Sequence, residues 1–285
     1  MLLSLLADRL VLSPSRDELF PYGKTRHLVP WRGGQIEVWR ERTAGNSSDG
    51  NPDSGRDLAE PDEPTCFVLK FNGKAARAER SCLDPLDQWS DVPGEIWSVN
   101  PPGYGGSSGK ASLRALAPAA EAVFAELVEV AAGRPIFIAA NSLGTLSALY
   151  LAARHAVTGA IAGLILRNPP PLKELITGKY AWRSLGLSRF VARKVPGELD
   201  AVANAAAATV PAVFLMSGRD TTVPPKYQRL IFRAYAGPRR RVLLPKAGHN
   251  VRFSRYERHE YALGINWLRR QSLDLAKPES YSSLA

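Results

Sequence analysis

The first place where this chain could do chemistry is a serine set between small residues, after an apolar run and before a helical pattern. The run Ile136-Phe-Ile-Ala-Ala140-Asn141-Ser142-Leu143-Gly144 has that form, and Leu146, Leu149 and Leu151 follow at the spacing of one helix face. A strand that delivers a serine into a sharp turn before a helix is a nucleophile elbow. Bulk two positions to either side would collide with the opposite arm of the turn. Here Ala140 stands where the motif usually has its first glycine. A hydroxyl is a poor nucleophile until a base takes its proton, so a histidine is needed. Of four histidines, His249 in Lys246-Ala-Gly-His249-Asn250 directly follows an apolar run, while His27, His155 and His259 read as surface or capping residues. An acid that orients the imidazole should leave a strand end between the two. Asp220, in Ser217-Gly-Arg-Asp220-Thr-Thr-Val-Pro224, does so, and the strand ending at Arg167-Asn168 offers no carboxylate. Asp200 and Glu198 are the alternative acids in the neighbouring segment.

Acyl transfer also needs donors aimed at a developing oxyanion. After the run 66–71 comes Asn72-Gly73-Lys74-Ala75, where the glycine lets the Lys74 N–H turn toward the oxyanion, paired with the N–H of Leu143. Each position also has a plainer reading: a serine opening a helix, a turn histidine, a turn aspartate, an ordinary strand-to-helix turn. Their joint occurrence in one order favours chemistry.

Those residues require a scaffold that brings strand ends together. Short apolar runs at 66–71, 95–99, 135–140, 161–166, 211–216 and 241–244 alternate with helical patterns. Leu113, Leu116, Val123, Leu127 and Val130 form one such pattern; Tyr227, Leu230, Ile231 and Tyr235 form another, and Phe253, Tyr256, Leu263 and Trp267 a third. Runs that are apolar nearly throughout suit strands buried on both faces. Alternating strands and helices predict an α/β fold with a mostly parallel sheet. Ahead of it, 9–16 reads as a short strand and 27–42 as a hairpin around Gly33-Gly34. The acidic, Gly/Ser/Pro-rich stretch 44–64 reads as a flexible surface loop within a single domain spanning 1–285. Residues 168–209 exceed a plain crossover and read as a short helical cap, where Trp182, Leu185, Leu187 and Phe190 could wall an acyl pocket or pack as core.

The ordered set Asn72-Gly73-Lys74-Ala75, Asn100-Pro-Pro-Gly-Tyr-Gly-Gly-Ser107, Ala140-Asn-Ser142-Leu-Gly144, Gly218-Arg-Asp220 with Val223-Pro224, and Gly248-His249 resembles the α/β-hydrolase superfamily over roughly 65–270. The branch it is most similar to is the small-lid group of depalmitoylases, monoacylglycerol lipases and related esterases. That resemblance implies a Ser-His-Asp hydrolase acting on an ester or thioester without a cofactor. The chain departs from it at Ala140 and at Asn72-Gly73-Lys74, where those families usually carry Gly and His-Gly-Asn. A peptidase or acyltransferase would use the same residues, and a non-catalytic binding protein could share the fold.

Composition narrows the alternatives. The 285 residues are 45% hydrophobic and 22% charged, an ordinary globular profile, with a formal charge of +10. The basic residues are dispersed and no aromatic-interleaved nucleic-acid motif accompanies them, so the expectation is a solvated basic surface with no nucleic-acid partner and a small-molecule acyl substrate. Residues 103–110 superficially resemble a phosphate loop, but Tyr104 takes the required glycine position and Ala111 follows Lys110. No metal-ligand spacing is present. Cys66 and Cys82 make no disulfide framework. The apolar start over 1–10 is short for a signal core, and no run reaches ~18 apolar residues. The expectation is a cytoplasmic protein with no integral membrane segment.

Overall fold

The computed structural model describes residues 8, 11–43, 63–89, 91–179, 187–250 and 253–272. Eight strands form one sheet: β1 (Thr25–Trp31), β2 (Gly34–Arg42), β3 (Cys66–Phe71), β4 (Gly94–Val99), β5 (Ile136–Asn141), β6 (Ile161–Arg167), β7 (Ala212–Ser217) and β8 (Arg239–Leu244). Their order across the sheet is β1-β2-β4-β3-β5-β6-β7-β8. β1 and β2 form the expected hairpin, β2 pairs antiparallel with β4, and from β4 to β8 every pairing is parallel. Parallel pairing carries the carboxyl ends of β3, β5, β6, β7 and β8 to one edge, where ligands bind in open sheets of this kind.

The apolar runs are strands because both faces are covered. On one face Leu69, Ile138, Leu166 and Phe214 pack with α1 (Leu113–Ala131) and α2 (Thr145–Arg154). On the other, Val68, Phe137, Ile165 and Val213 pack with Tyr261, Ile265 and Leu268 of α7 (Arg255–Ser272). Full burial of each Leu, Ile, Val or Phe contributes about 1.5–3 kcal/mol. Between β6 and β7 lie α3 (Leu172–Lys179), α4 (Leu187–Ala192) and α5 (Ala201–Ala207), and α6 (Pro225–Ala234) precedes β8. The stretch 44–62, Trp182 and Leu185 lie outside the described residues. Phe190 is more than half exposed, with the Arg193 guanidinium over its ring. No helix among the described residues is long and apolar enough to cross a membrane.

Three local expectations are corrected. No strand forms over 12–16: residue 11 is helical, the Leu12 N–H bonds the Asp8 carbonyl, and the segment then runs as coil. Its main chain bonds sideways instead. The Ser13 N–H donates to the Tyr104 hydroxyl, and the Ser15 carbonyl accepts from Gly105 N–H and Arg77. β8 begins at Arg239, two residues before the apolar run, because an edge strand keeps charged side chains toward water. Phe253 is excluded from α7. Ser254 and Glu257 form a reciprocal capping box, with Ser254 N–H donating to Glu257 Oε2 (2.9 Å) and Glu257 N–H to Ser254 Oγ (3.3 Å), so the helix starts after Ser254.

Candidate active site

Ser142 sits at the tip of β5 with φ of +50°, in the left-handed region, which for a residue other than glycine marks stored backbone strain. The turn is held by its neighbours. A Cβ on Gly144 would lie 2.3 Å from the Phe71 carbonyl oxygen, so only glycine passes there. The Thr145 hydroxyl donates to the Ser142 carbonyl at 2.6 Å. Ala140, where the motif usually has glycine, is buried.

His249 lies in the turn beyond β8. Its Nε2 is 2.9 Å from Ser142 Oγ and its Nδ1 is 2.7 Å from Asp220 Oδ2. Asp220 follows β7 and is 3% exposed. Its other oxygen accepts the N–H groups of Thr222 and Val223, each at 2.8 Å, and Gln228 of α6 donates to Oδ2 at 3.3 Å. Both carboxylate oxygens are therefore fixed, and the one facing the imidazole has little freedom to turn away. Asp200, the alternative acid, is committed elsewhere: it caps α5 through the Ala203 N–H (3.1 Å) and pairs with Lys173 (2.8 Å). His27 and His155 pair with Glu126 and Glu121, and His259 lies within α7, so none of the three joins Ser142.

The turn after β3 is adjacent to the elbow because Phe71 is in register with Ala140. A Cβ on Gly73 would meet the Ser142 Cβ at 3.3 Å, so the backbone there approaches the serine closely. Ala76 N–H bonds the Gly73 carbonyl (3.2 Å), and Ala75 has a φ of +61°. That arrangement turns the chain at Lys74 beside Ser142. Leu143 is the second residue of the short 3-10 turn Ser142–Gly144, within the first turn where N–H groups are left unpaired by the helix.

Four braces escaped the sequence reading. Asn168 sits at the β6 tip, and its Nδ2 donates to the His249 carbonyl (3.1 Å) while its Oδ1 accepts the Ser217 N–H (3.0 Å), tying the histidine turn to the acid strand. Glu257 accepts the Lys246 N–H (3.2 Å) and fastens the same turn to α7. Gln228 holds the acid. Tyr104 anchors the β3 turn, and burial pushes its phenol above the ordinary range. The loop carrying Tyr104 is itself locked. Asn100 Nδ2 donates to Glu37 (2.7 Å), Gly106 N–H donates to the same carboxylate (2.8 Å), and Ser107 Oγ donates to the Asn100 carbonyl (2.6 Å). Burial raises the Glu37 pKa, but these donors and Arg26 outweigh it and hold the carboxyl below its usual value. Asn168 had one readable signal, its place at a strand tip, and Glu257 another, its spacing from Ser254; the braces at Gln228 and Tyr104 depend on the fold.

Among the described residues no group of three or more His, Cys, Asp or Glu is placed to hold a metal ion. Burial pushes the Cys66 thiol up to about 12, as suits a core residue.

No protein-family profile matches the chain. Two uncharacterised proteins of Mycobacterium tuberculosis, one from each of two strains, are 32% identical to it over 151 residues, 52% of this chain and 50% of theirs. The chain thus spans about half the length of the curated relatives it matches. Among solved structures, the Pyrococcus furiosus esterase Pf2001 superposes with a TM-score of 0.62 at 12% identity, covering 92% of this chain and 97% of that one. An alpha-beta hydrolase from Vibrio vulnificus gives 0.62 at 20% identity over 86% and 81%. Est1E from Butyrivibrio proteoclasticus gives 0.59 at 14% over 88% and 99%. Likeness at such identities is likeness of fold.

Proposed function

We propose that this chain, whose architecture is the α/β-hydrolase fold, is a serine hydrolase that cleaves a carboxylic ester or thioester through an acyl-enzyme. The observation that carries the reading is the unbroken line from Asp220 through His249 to Ser142, at 2.7 and 2.9 Å, at the carboxyl edge of a parallel sheet. The superposition on esterases such as Pf2001 and Est1E supports it.

In this reading the Ser142 hydroxyl attacks the acyl carbon while His249 Nε2 takes its proton. Asp220, buried and unable to swing away, keeps the proton on Nδ1 and stabilises the imidazolium. The oxyanion of the tetrahedral intermediate is received by the N–H groups of Lys74 and Leu143, and each such donor is worth about 10²–10³ in turnover. His249 then protonates the departing alcohol or thiol, and water enters by the reverse sequence to release the acid and regenerate the serine. In this reading α3, which follows β6, contributes the cap, whereas α5 packs against α2 in the core. No cofactor takes part.

The test is labelling with a fluorophosphonate probe, followed by turnover of p-nitrophenyl esters and acyl-thioesters. Labelling of the wild type, abolished in Ser142→Ala, is the expected result. Folded protein that resists the probe would instead make the chain a binding protein on a hydrolase fold.

A further inference from the structure

A cleft of about 200 Å³ opens one residue from the nucleophile, at the same sheet edge, on the face that α7 covers. Its walls include Asn72 after β3, Asn141 at the end of β5, Arg167 at the end of β6, and Phe253 just beyond the His249 turn. Two features set it apart. The first is charge. Lys70, Arg80 and Arg167 line the cleft, and Asp84 is its only carboxylate. The Lys70 ammonium donates to the main-chain carbonyls of Cys82 (2.8 Å) and Asp84 (2.6 Å) and to Cys82 Sγ (3.5 Å), and its charge acts on the Asp84 carboxylate, which Arg167 shares. Arg80 makes no ion pair among the described residues. The Arg167 guanidinium sits over the Phe253 ring, 4.5 Å from its centroid. Asp84 is hydrogen-bonded by the Tyr261 hydroxyl, and burial raises its pKa, which weakens it as a counter-charge.

The second feature is unmet hydrogen bonding. Asn72 Nδ2, Ser81 Oγ and Asn141 Oδ1 are buried and have no partner, and all three side chains line this one cleft. Ser81 is 8% exposed. Two of these atoms, Asn72 Nδ2 and Ser81 Oγ, are donors that an incoming acceptor can satisfy, beside three cationic side chains.

We propose that this cleft binds an anionic oxygen group, a carboxylate or phosphate, carried on the substrate that Ser142 attacks. The inference rests on the hydrolase reading above, and it narrows the substrate to esters or thioesters with an anionic end. A carboxylate or phosphate supplies acceptors for the Arg80 fork, the Asn72 amide and the Ser81 hydroxyl, and Lys70 and Arg167 add positive charge beside it. Because Asn141 adjoins Ser142, the anion and the scissile carbonyl would be joined by a short spacer.

Two measurements decide it. In the first, p-nitrophenyl hemi-esters of malonate, succinate, glutarate and adipate are compared with neutral esters of matched length. One hemi-ester is expected to have a KM ~10-fold or more below its neutral counterpart, the scale of one charge-assisted contact set. Arg80→Gln, which breaks no described ion pair, should erase that difference and leave turnover of the neutral esters unchanged. Equal KM values in the wild type would overturn the proposal, as would a preference that survives both Arg80→Gln and Lys70→Met.

The second measurement needs no catalysis: thermal melting and calorimetric titration of Ser142→Ala with glutarate and with inorganic phosphate. Saturable binding that Arg80→Gln weakens supports an anion cleft, even if every ester is inert, in which case the hydrolase reading alone has failed. Absence of binding by either anion overturns the cleft. Binding of phosphate that leaves hemi-ester turnover uninhibited would show that the anion is a free ligand rather than part of the substrate, and would overturn the proposal as stated.

Discussion

Two sets of polar side chains stand side by side at the carboxyl edge of the sheet, and their hydrogen bonding is opposite in character. Around Asp220, His249 and Ser142 the groups that must hold still are matched: two backbone N–H groups and Gln228 on the acid, the acid on the imidazole, Asn168 on the histidine turn. In the cleft beside them three cationic side chains meet one carboxylate, and the buried donors of Asn72 and Ser81 go unpaired. A group that must not move during a reaction gains from partners within the protein, because fixed dipoles cost no reorganisation. A group that must receive something needs partners that arrive with the ligand. The matched triad groups are the parts proposed to do chemistry, and the cationic cleft is the part proposed to select what is transformed.

The comparison breaks most sharply at the relay itself. Ser142→Ala and His249→Ala should each lower turnover by about 10⁶, the scale found when members of such a unit are removed from a protease, and the double variant should lose little more. Melting temperatures should stay close to that of the wild type. Losses that multiply in the double variant, or variants that unfold, would show that the two residues do not share one step.

Next in size is the acid. Asp220→Asn keeps the shape but favours the wrong imidazole tautomer, and the corresponding change in a serine-protease triad costs about 10⁴. Asp200→Asn should leave turnover within a few-fold, since its bonds serve α5 and Lys173. Full activity in the first and collapse in the second, measured side by side, would mean that the matched carboxylate is not the catalytic one.

A smaller effect is expected at Asn168, which touches neither substrate nor proton. Asn168→Ala removes two hydrogen bonds between the β6 tip, the His249 carbonyl and the Ser217 N–H. The cost should be about 1–3 kcal/mol, or several degrees in Tm. A positioning role predicts in addition that kcat falls while KM holds, and that Asn168→Asp does not restore it, because a carboxylate cannot donate to the His249 carbonyl. A change in Tm alone would reduce Asn168 to a structural brace.

The contrast also explains what the sequence made legible. Ser142, Asp220 and His249 each follow an apolar run, so their positions at strand tips could be read along the chain, and the register of β3 against β5 then brings the Gly73-Lys74 turn to the serine. The partners that saturate the site come from distant segments. Asn168 reads as an ordinary turn residue, Gln228 as one polar position on a helix, and Tyr104 as part of a glycine-rich loop, until packing brings each to its target. Arg167 carries no signal of its own at a strand tip where triad chemistry calls for a carboxylate. The strand expected over 9–16 failed for the same reason, since its backbone groups bond to Tyr104, Arg77 and Gly105, which no local pattern announces. The capping box at Ser254 and Glu257 was readable from spacing alone, and it sets where α7 begins.

The smallest expected effect tests that last brace and carries a pH signature. Glu257 is buried, which by itself raises its pKa. The Ser254 N–H and hydroxyl, with the Lys246 N–H, more than offset this and hold the carboxyl below the usual range. A depressed folded-state pKa means that the stabilisation is fully present above the unfolded value, near ~4.3, and is lost as pH falls through the lower folded value. Glu257→Gln keeps an acceptor oxygen but not the charge. Its Tm should lie a few degrees below wild type at pH 7, at about 2–4 °C per kcal/mol for a domain of this size. The gap should close as pH drops below ~4, because the wild-type carboxyl then becomes protonated as well. Turnover at pH 7 should change only slightly, since the histidine turn keeps its bond to Asn168. Melting curves of both proteins from pH 7 down to pH 3 make the comparison. A gap that stays constant over that range would mean that Glu257 acts by packing alone, and a gap that widens toward acid would reverse the sign and sink the electrostatic account of this brace.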